Sequence, residues 1–305
     1  MASSRVSVVV VSFNTRDKLV RCLSCIEPEH EIIVVDNGST DGSAESVATQ
    51  FPSAKLIRNQ NNRGFGTANN QGMELASGDL VLLLNSDAYA ERGAIARLAC
   101  EFQDPTIAGA GGQLLNPDGS RQRSSSSELT LWAVFCEQTL LEKLAPGSRF
   151  LSPYWNSHRV GDQTTPVAQV MGACLMMRPM ERFDERFFLY CEDTELCLRL
   201  SRHGKILYVP EAKFIHDLGS SSEGNRWLAV ARYNRGKELY FRIHQGVGAL
   251  SMCWILDRAG ALARLIAWSL PTVLTVGTNR RFRQKVWIFW KVLTAPLAGP
   301  RVPSY

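Results

Sequence analysis

Short unbroken apolar runs alternate with helix-period segments through the first third of the chain. Val6–Val11 is a continuous β-branched run, and Leu19, Val20, Leu23 and Ile26 follow it at helical spacing. Ile32–Val35 is a second such run, closed by Asp36-Asn37-Gly38-Ser39-Thr40-Asp41-Gly42, a turn that leads into a helix start. A helix over about 43–51, a strand over 55–58, a helix over about 66–76 and a fourth apolar strand, Leu80–Leu84, continue the series. Strands apolar on both faces, separated by amphipathic helices, are the pattern of a parallel sheet covered on both sides. The expected fold class is therefore α/β.

That topology has a consequence for location, because ligands of open α/β sheets bind beyond the carboxyl ends of the parallel strands. The polar residues at those ends are Asn14, Asp36, Asn59 and Asn85-Ser86-Asp87. Two acids and several amides gathered at one edge point to a binding site rather than to four unrelated turns. Further on, Asn116-Pro117-Asp118-Gly119 is a turn signal and Ser124–Ser127 a short loop, with Arg121 and Arg123 read as loop cations. Val167–Met177 returns to the core. Leu196 and Leu200 then mark a helix ending near Gly204, which puts Glu192, Asp193 and Glu195 in its first turn. Acids there complement the helix dipole. A Glu-Asp pair directly after the apolar run before it is also a place where a half-buried carboxylate acquires the character of a base.

Composition narrows the class. The chain has 305 residues, 45% hydrophobic and 21% charged, which supports a real core and excludes disorder and small disulfide scaffolds. Eight cysteines without regular spacing suggest a reducing compartment, and Cys22 and Cys25 fall in a helical pattern with no second pair to make a zinc ribbon. The first residues lack the features of a secretory signal, so a cytoplasmic location is expected.

Six segments in order carry a family resemblance: Val6–Asn14, Val34–Gly42, Asn62–Gly72, Leu84-Asn85-Ser86-Asp87, Glu192-Asp193-Thr194-Glu195-Leu196, and His216 with Gly219 and Ser221. Together, from about residue 5 to 221, they resemble the family 2 inverting glycosyltransferases of GT-A fold, in particular the rhamnosyltransferase-like subgroup. The resemblance implies a nucleoside-diphosphate sugar donor, with dTDP-rhamnose favoured, and a saccharide or lipid-linked saccharide acceptor. It implies that Ser12, Asn14, Asp36, Asn37, Gly38, Asn62, Gly64, Phe65, Gly66, Asn69, Asn85 and Ser86 line the nucleotide-sugar site, with Asp36 accepting from the base. Asp87 would hold Mg²⁺ or Mn²⁺ on the diphosphate, with His216 as a further ligand. The chain departs from the family's Asp-x-Asp element in having Asn85 at the first position, a neutral oxygen ligand that weakens metal binding. Asp193 corresponds to the general base, with Glu192 as the alternative. The expected organisation is a catalytic domain over 1–245, with a nucleotide-sugar half (1–115) and an acceptor half (116–245). A nucleotidyltransferase is the competing enzyme class, but Ser12-Phe13-Asn14-Thr15 is not a glycine-rich phosphate loop. An inactive sugar-nucleotide-binding scaffold is the competing non-enzyme class, and it would have lost Asp87 or Asp193.

Charge sets the last segment apart. The net charge is +5, yet residues 246–305 hold eight cations and only Asp257 as an acid. Val247–Leu256 and Leu265–Asn279 are uncharged but too short to span a bilayer of about 30 Å. Arg280-Arg281-Phe282-Arg283-Gln284-Lys285, then Val286-Trp287-Ile288-Phe289-Trp290-Lys291, mixes cations with aromatics as interfacial helices do. Two readings follow: a helical extension lying on the inner face of the plasma membrane, or a helical subdomain packed on the catalytic core. A nucleic-acid surface is disfavoured, since the cations adjoin bulky apolar residues rather than a polar groove.

Overall fold

The computed structural model describes residues 5–155, 160–217 and 226–295. Each apolar run of the N-terminal third is a strand: β1 (Val6–Ser12), β2 (Glu31–Asp36), β3 (Lys55–Arg58) and β4 (Leu80–Asn85). Helices α1 (Arg16–Ser24), α2 (Ser43–Gln50) and α3 (Phe65–Leu75) connect them. These four strands are all parallel, in the order β3-β2-β1-β4. Residues Val8–Val10, Ile33–Val35 and Leu80–Leu83 are at or near zero exposure, so the apolar runs are buried on both faces, as parallel strands require.

Beyond β4 the sheet becomes mixed. After β5 (Ala88–Ala90), α4 (Ala94–Glu101) and β6 (Ile107–Leu115), the pair β7 (Ser125–Ser126) and β9 (Gln169–Val170) forms a separate two-stranded ladder. Helices α5 (Leu131–Gln138) and α6 (Leu141–Leu144) lie between them in sequence, as does β8 (Thr165–Val167). Strand β10 (Cys174–Met177) inserts antiparallel between β4 and β6. After α7 (Glu192–Leu200), β11 (Lys205–His216) pairs parallel to β6 and antiparallel to β5, completing the order β3-β2-β1-β4-β10-β6-β11-β5, with β8 on β11. The long β6 contains three glycines, and at two of them the neighbours leave no room: a Cβ at Gly111 would sit 2.6 Å from Val170, and one at Gly112 would sit 2.4 Å from the Ala212 carbonyl oxygen. All eight cysteines are free, with Cys22 buried in α1 and Cys25 at its C-cap.

The C-terminal segment is a helical hairpin. Helix α8 (Arg226–Leu274) is interrupted at Gly246, whose φ is +83°, and α9 (Arg280–Thr294) packs back along it. Its anchor is electrostatic. Asp257, the one acid of residues 246–305, is fully buried and accepts from Lys237 Nζ at 2.7 Å and Gln138 Nε2 at 2.8 Å. Arg264 caps the end of α5 by donating to the Glu137 and Gln138 carbonyls, and Arg258 does the same for α9 at Val292 and Ala295. Part of the extension's charge is thus spent on packing it to the catalytic core.

Breaking that buried pair on one side leaves Lys237 with Glu137 at 3.3 Å as its acidic partner among the described residues, and with the Tyr233 ring at 4.7 Å. Asp257→Ala should therefore lower unfolding stability by about 3 kcal/mol in urea titration, and the double replacement Lys237→Met/Asp257→Leu should cost clearly less. Equal losses for the two variants would show that the pair is not what anchors the hairpin.

Candidate active site

Strand register brings the sequence-predicted residues to one edge. Ser12 is the partner of Asp36 across β1–β2, and Val11 is the partner of Asn85 across β1–β4, so the ends of the three strands stand side by side. A hydroxyl chain links the first to the last: Thr15 Oγ1 lies 3.0 Å from Ser12 Oγ and 2.9 Å from Ser86 Oγ.

Around Asp36 the chain builds a cradle from its own amides. Asn14 has φ +54°, and its Oδ1 accepts from Thr40 N at 2.8 Å, fixing the turn after β2. Asp36 Oδ2 accepts from Ser39 N at 3.0 Å, whereas Oδ1 is buried and accepts nothing among the described residues. A buried carboxylate oxygen without a donor is costly unless a ligand supplies one. Asn37 is consumed internally: it donates to Asn62 Oδ1 and the Gly64 carbonyl and accepts from Asn59 and Arg63 N. Asn62 Oδ1 also accepts from Gly64 N at 2.9 Å. Asn69 is buried and donates to the Phe65 carbonyl of its own helix. Asn37, Asn62 and Asn69 therefore shape the cradle. Gly38, at φ +83°, allows close approach, since a Cβ there would meet the Asn61 backbone at 2.8 Å. Gly66 packs on Phe183, whose ring Phe65 meets edge-on at 5.9 Å.

At the end of β4, Asn85 Oδ1 is buried and likewise accepts nothing among the described residues. Asp87 Oδ1 faces His216 Nε2 at 3.3 Å. The other ring nitrogen, Nδ1, is 3.0 Å from Gln122 Oε1, and the Gln122 amide is oriented by donating to the Asn116 side chain and the His216 carbonyl. Nδ1 is thus the donor to Gln122, and Nε2 faces the Asp87 carboxylate, an arrangement that either a ring proton or a bound cation completes. The residues present therefore fit a divalent ion, though with few protein ligands: no cluster of three or more His, Cys, Asp or Glu occurs among the described residues. Gln122 was missed by sequence reasoning, because it lies 94 positions from His216 in a segment read as loop. Gly219 and Ser221 lie outside the described residues.

The acid pair sits at the start of α7. Glu192 is buried, its Oε2 accepts no hydrogen bond among the described residues, and burial together with the neighbouring Asp193 charge pushes its carboxyl up to about 8. Asp193 is only half-buried. Burial raises it too, but Oδ2 accepts from Gly172 N at 2.9 Å and Oδ1 from Thr194 N at 2.8 Å, and both bonds favour its charged form. The environments thus differ: Glu192 is a buried acid that keeps its proton at neutral pH, while Asp193 is half-buried and has two backbone donors that favour its charged form. The loop that contacts Asp193 also reaches the end of β4, since the Ala173 carbonyl accepts from Asn85 N at 3.1 Å. Arg121 pairs with Asp162, and Arg123 lies 4.5 Å over the Trp155 ring.

Comparison with known proteins places this geometry. The model of the family described as "Glycosyl transferase family 2" matches residues 7–178, more than half of the chain. The chain belongs to glycosyl transferase family 2. It is an enzyme of that family, a glycosyltransferase of GT-A fold. It is 28% identical over 283 residues to an N-acetylglucosaminyl-diphospho-decaprenol L-rhamnosyltransferase of Mycobacterium tuberculosis, covering 84% of this chain and 90% of that one. It is 26% identical to the O-antigen biosynthesis protein RfbC of Myxococcus xanthus, covering 74% of this chain but 19% of that one. Among solved structures, a mannosyltransferase of Pyrobaculum calidifontis in complex with GDP-Man and Mn²⁺ aligns over 96% of this chain and 86% of its own, with TM-score 0.55 and 15% identity. Staphylococcus aureus TarS 1-349 aligns over 95% and 81%, with TM-score 0.51 and 14% identity. These two likenesses concern the fold.

The raised Glu192 carboxyl has a pH signature. Between the ordinary carboxyl range and about pH 8 the unfolded chain is ionised at this position while the folded chain holds the proton, so raising the pH through that window destabilises the fold. Glu192→Gln removes the effect. Its stability advantage over the parent should grow by at most about 1.4 kcal/mol per pH unit between pH 5 and 8 and then level off. Thermal unfolding of both proteins across that range checks it; a constant difference would mean that Glu192 is ionised in the fold.

Proposed function

We propose that this glycosyltransferase moves rhamnose from dTDP-rhamnose to a hydroxyl of a lipid-linked saccharide by a single, inverting displacement. The observation that carries the reading is the loop at 171–173, which touches Asp193 on one side and the donor-side Asn85 on the other. A base and a leaving-group site tied by one short loop suit a reaction in which attack and departure occur on opposite faces of one carbon. The likeness to the mycobacterial rhamnosyltransferase over most of both chains favours the donor sugar and the lipid-linked acceptor.

In this mechanism Asp36 Oδ1 accepts a hydrogen bond from the nucleobase, whose N–H edge supplies the donor that the buried oxygen lacks. Asn14, Gly38 and Gly64 hold the turns that let the nucleotide approach the backbone. Ser86 closes the hydroxyl chain beneath the donor. Asp87 and His216, with Asn85 as a neutral ligand, would hold Mg²⁺ or Mn²⁺, and the ion would offset negative charge on the diphosphate. Asp193 takes the proton of the acceptor hydroxyl as it attacks, and Glu192, neutral beside it, leaves that role to one carboxylate. The protein works at the cytoplasmic membrane surface, where a lipid-linked acceptor resides.

Asp193→Asn should lower kcat by at least about 10²-fold while dTDP still raises the melting temperature as in the parent. Undiminished turnover would remove Asp193 from the role of base. For the metal, calorimetry of dTDP with Mn²⁺ against chelator should show a difference that Asp87→Ala abolishes and Asn85→Ala only reduces. Identical affinity in the parent with and without metal would refute the assignment.

A further inference from the structure

The hairpin that packs on the catalytic core leaves a second face uncovered. On α8 beyond Gly246, the inward side carries Cys253, Asp257, Gly260 and Ala261, all buried. Helical periodicity puts Ile255, Leu262, Ile266, Leu270 and Val273 on the opposite side, and all five are exposed, Val273 to 73%. The stripe runs about 27 Å at 1.5 Å per residue. No described element covers it, and exposed apolar surface of that extent marks an interaction site.

Helix α9 adds charge and indole. Arg280, Arg283, Trp287, Trp290 and Lys291 are all exposed, and their spacing places them on one side of the helix. Its buried side, Ile288 and Val292, packs with Ala261 of α8. None of the five α9 cations, which include Arg281 and Lys285, has an acidic partner among the described residues, and Asp257, the one acid of residues 246–305, is sealed against Lys237. The outer surface of the hairpin is therefore apolar and cationic, with no acid on it. A second copy of this chain docked there would set like charges together. An anionic bilayer supplies both hydrocarbon for the stripe and counter-charge for the cations.

We infer that the α8–α9 hairpin is a bilayer-docking surface: the α8 stripe enters the interface of an anionic membrane, and the α9 arginines and tryptophans sit at headgroup depth. No described helix is long and apolar enough to cross a membrane, so the contact is in the plane of one leaflet. Arg258 and Arg264 take no part, being spent on helix-end carbonyls. The inference names the surface behind the membrane contact in the proposed function, and it rests on that reading only for why the contact is useful.

The test is flotation of the full chain with vesicles of equimolar phosphatidylglycerol and phosphatidylcholine, at low and high salt. Truncation is avoided because it would strip Asp257 from Lys237. The parent should float with these vesicles, less so at high salt, and not with phosphatidylcholine alone. Ile266→Glu/Leu270→Glu should stop flotation. Arg280→Gln/Arg283→Gln should weaken it about 30-fold, about fivefold per cation. In every variant, the dTDP-induced rise in melting temperature should match the parent, which shows that the fold and donor site are intact. That rise also separates the two readings: its absence in the parent would count against the transferase site, whatever the vesicles show. A parent that ignores anionic vesicles overturns the inference, as do variants that float like the parent. So does a parent dimer, seen by light scattering, that Ile266→Glu/Leu270→Glu turns into a monomer, because the stripe is then a contact between copies.

Discussion

One backbone constraint organises the catalytic half: the turn at Tyr190 and Cys191, where two consecutive non-glycine residues have φ of +73° and +66°. Left-handed backbone at side chains of this size is unfavourable and persists only when its surroundings enforce it. Here the enforcement comes from two glycines. Gly64, at the start of α3, lies so close to the Phe188 carbonyl oxygen that a Cβ would be 2.7 Å away, and Phe65 N donates to that same oxygen at 2.9 Å. Gly236, on α8, approaches the Tyr190 carbonyl oxygen so that a Cβ would be 2.5 Å away. The segment leading into the acid pair is clamped between the donor-side helix and the C-terminal helix. Both α3, beside the strand-end edge, and the C-terminal hairpin thereby bear on the position of Asp193.

The clamp also explains the electrostatics of the pair. Because the turn drives the first residue of α7 inward, Glu192 loses water and its Oε2 has no donor among the described residues, while Asp193, one step on, is half-exposed with two backbone N–H groups on its oxygens. The strained backbone thus places two adjacent carboxyl groups in different surroundings, one sealed and protonated, the other half-exposed and held by backbone donors. Neither composition nor helix-dipole reasoning distinguishes these two, since both occupy the same first turn.

What the sequence made legible follows the same physics. Strands β1, β2 and β4 were readable to within a residue because full burial demands unbroken apolar runs. The convergence of Asn14, Asp36 and Asn85–Asp87 then followed from parallel topology alone. Strand β6, with three glycines, and the two-residue ladder strands carry no periodicity, and the antiparallel insertion of β10 depends on contacts remote in sequence. Gln122, which orients His216, and Gly172, which donates to Asp193, are visible only once the chain is folded. The C-terminal segment posed a choice between packing and membrane contact that composition could not resolve. The fold packs one face of the helix, with Asp257 on it, and leaves the opposite face, with Ile266, exposed.

The claim on which the chemistry turns is that Asp193 acts as a base in one displacement and never as a nucleophile. The anomeric configuration of the product tests it directly. With dTDP-rhamnose and a lipid-linked saccharide acceptor, nuclear magnetic resonance of the new glycosidic linkage should show the configuration opposite to that of the donor. A product that retains the donor's configuration would require two displacements, and so would contradict the role given to the carboxylate.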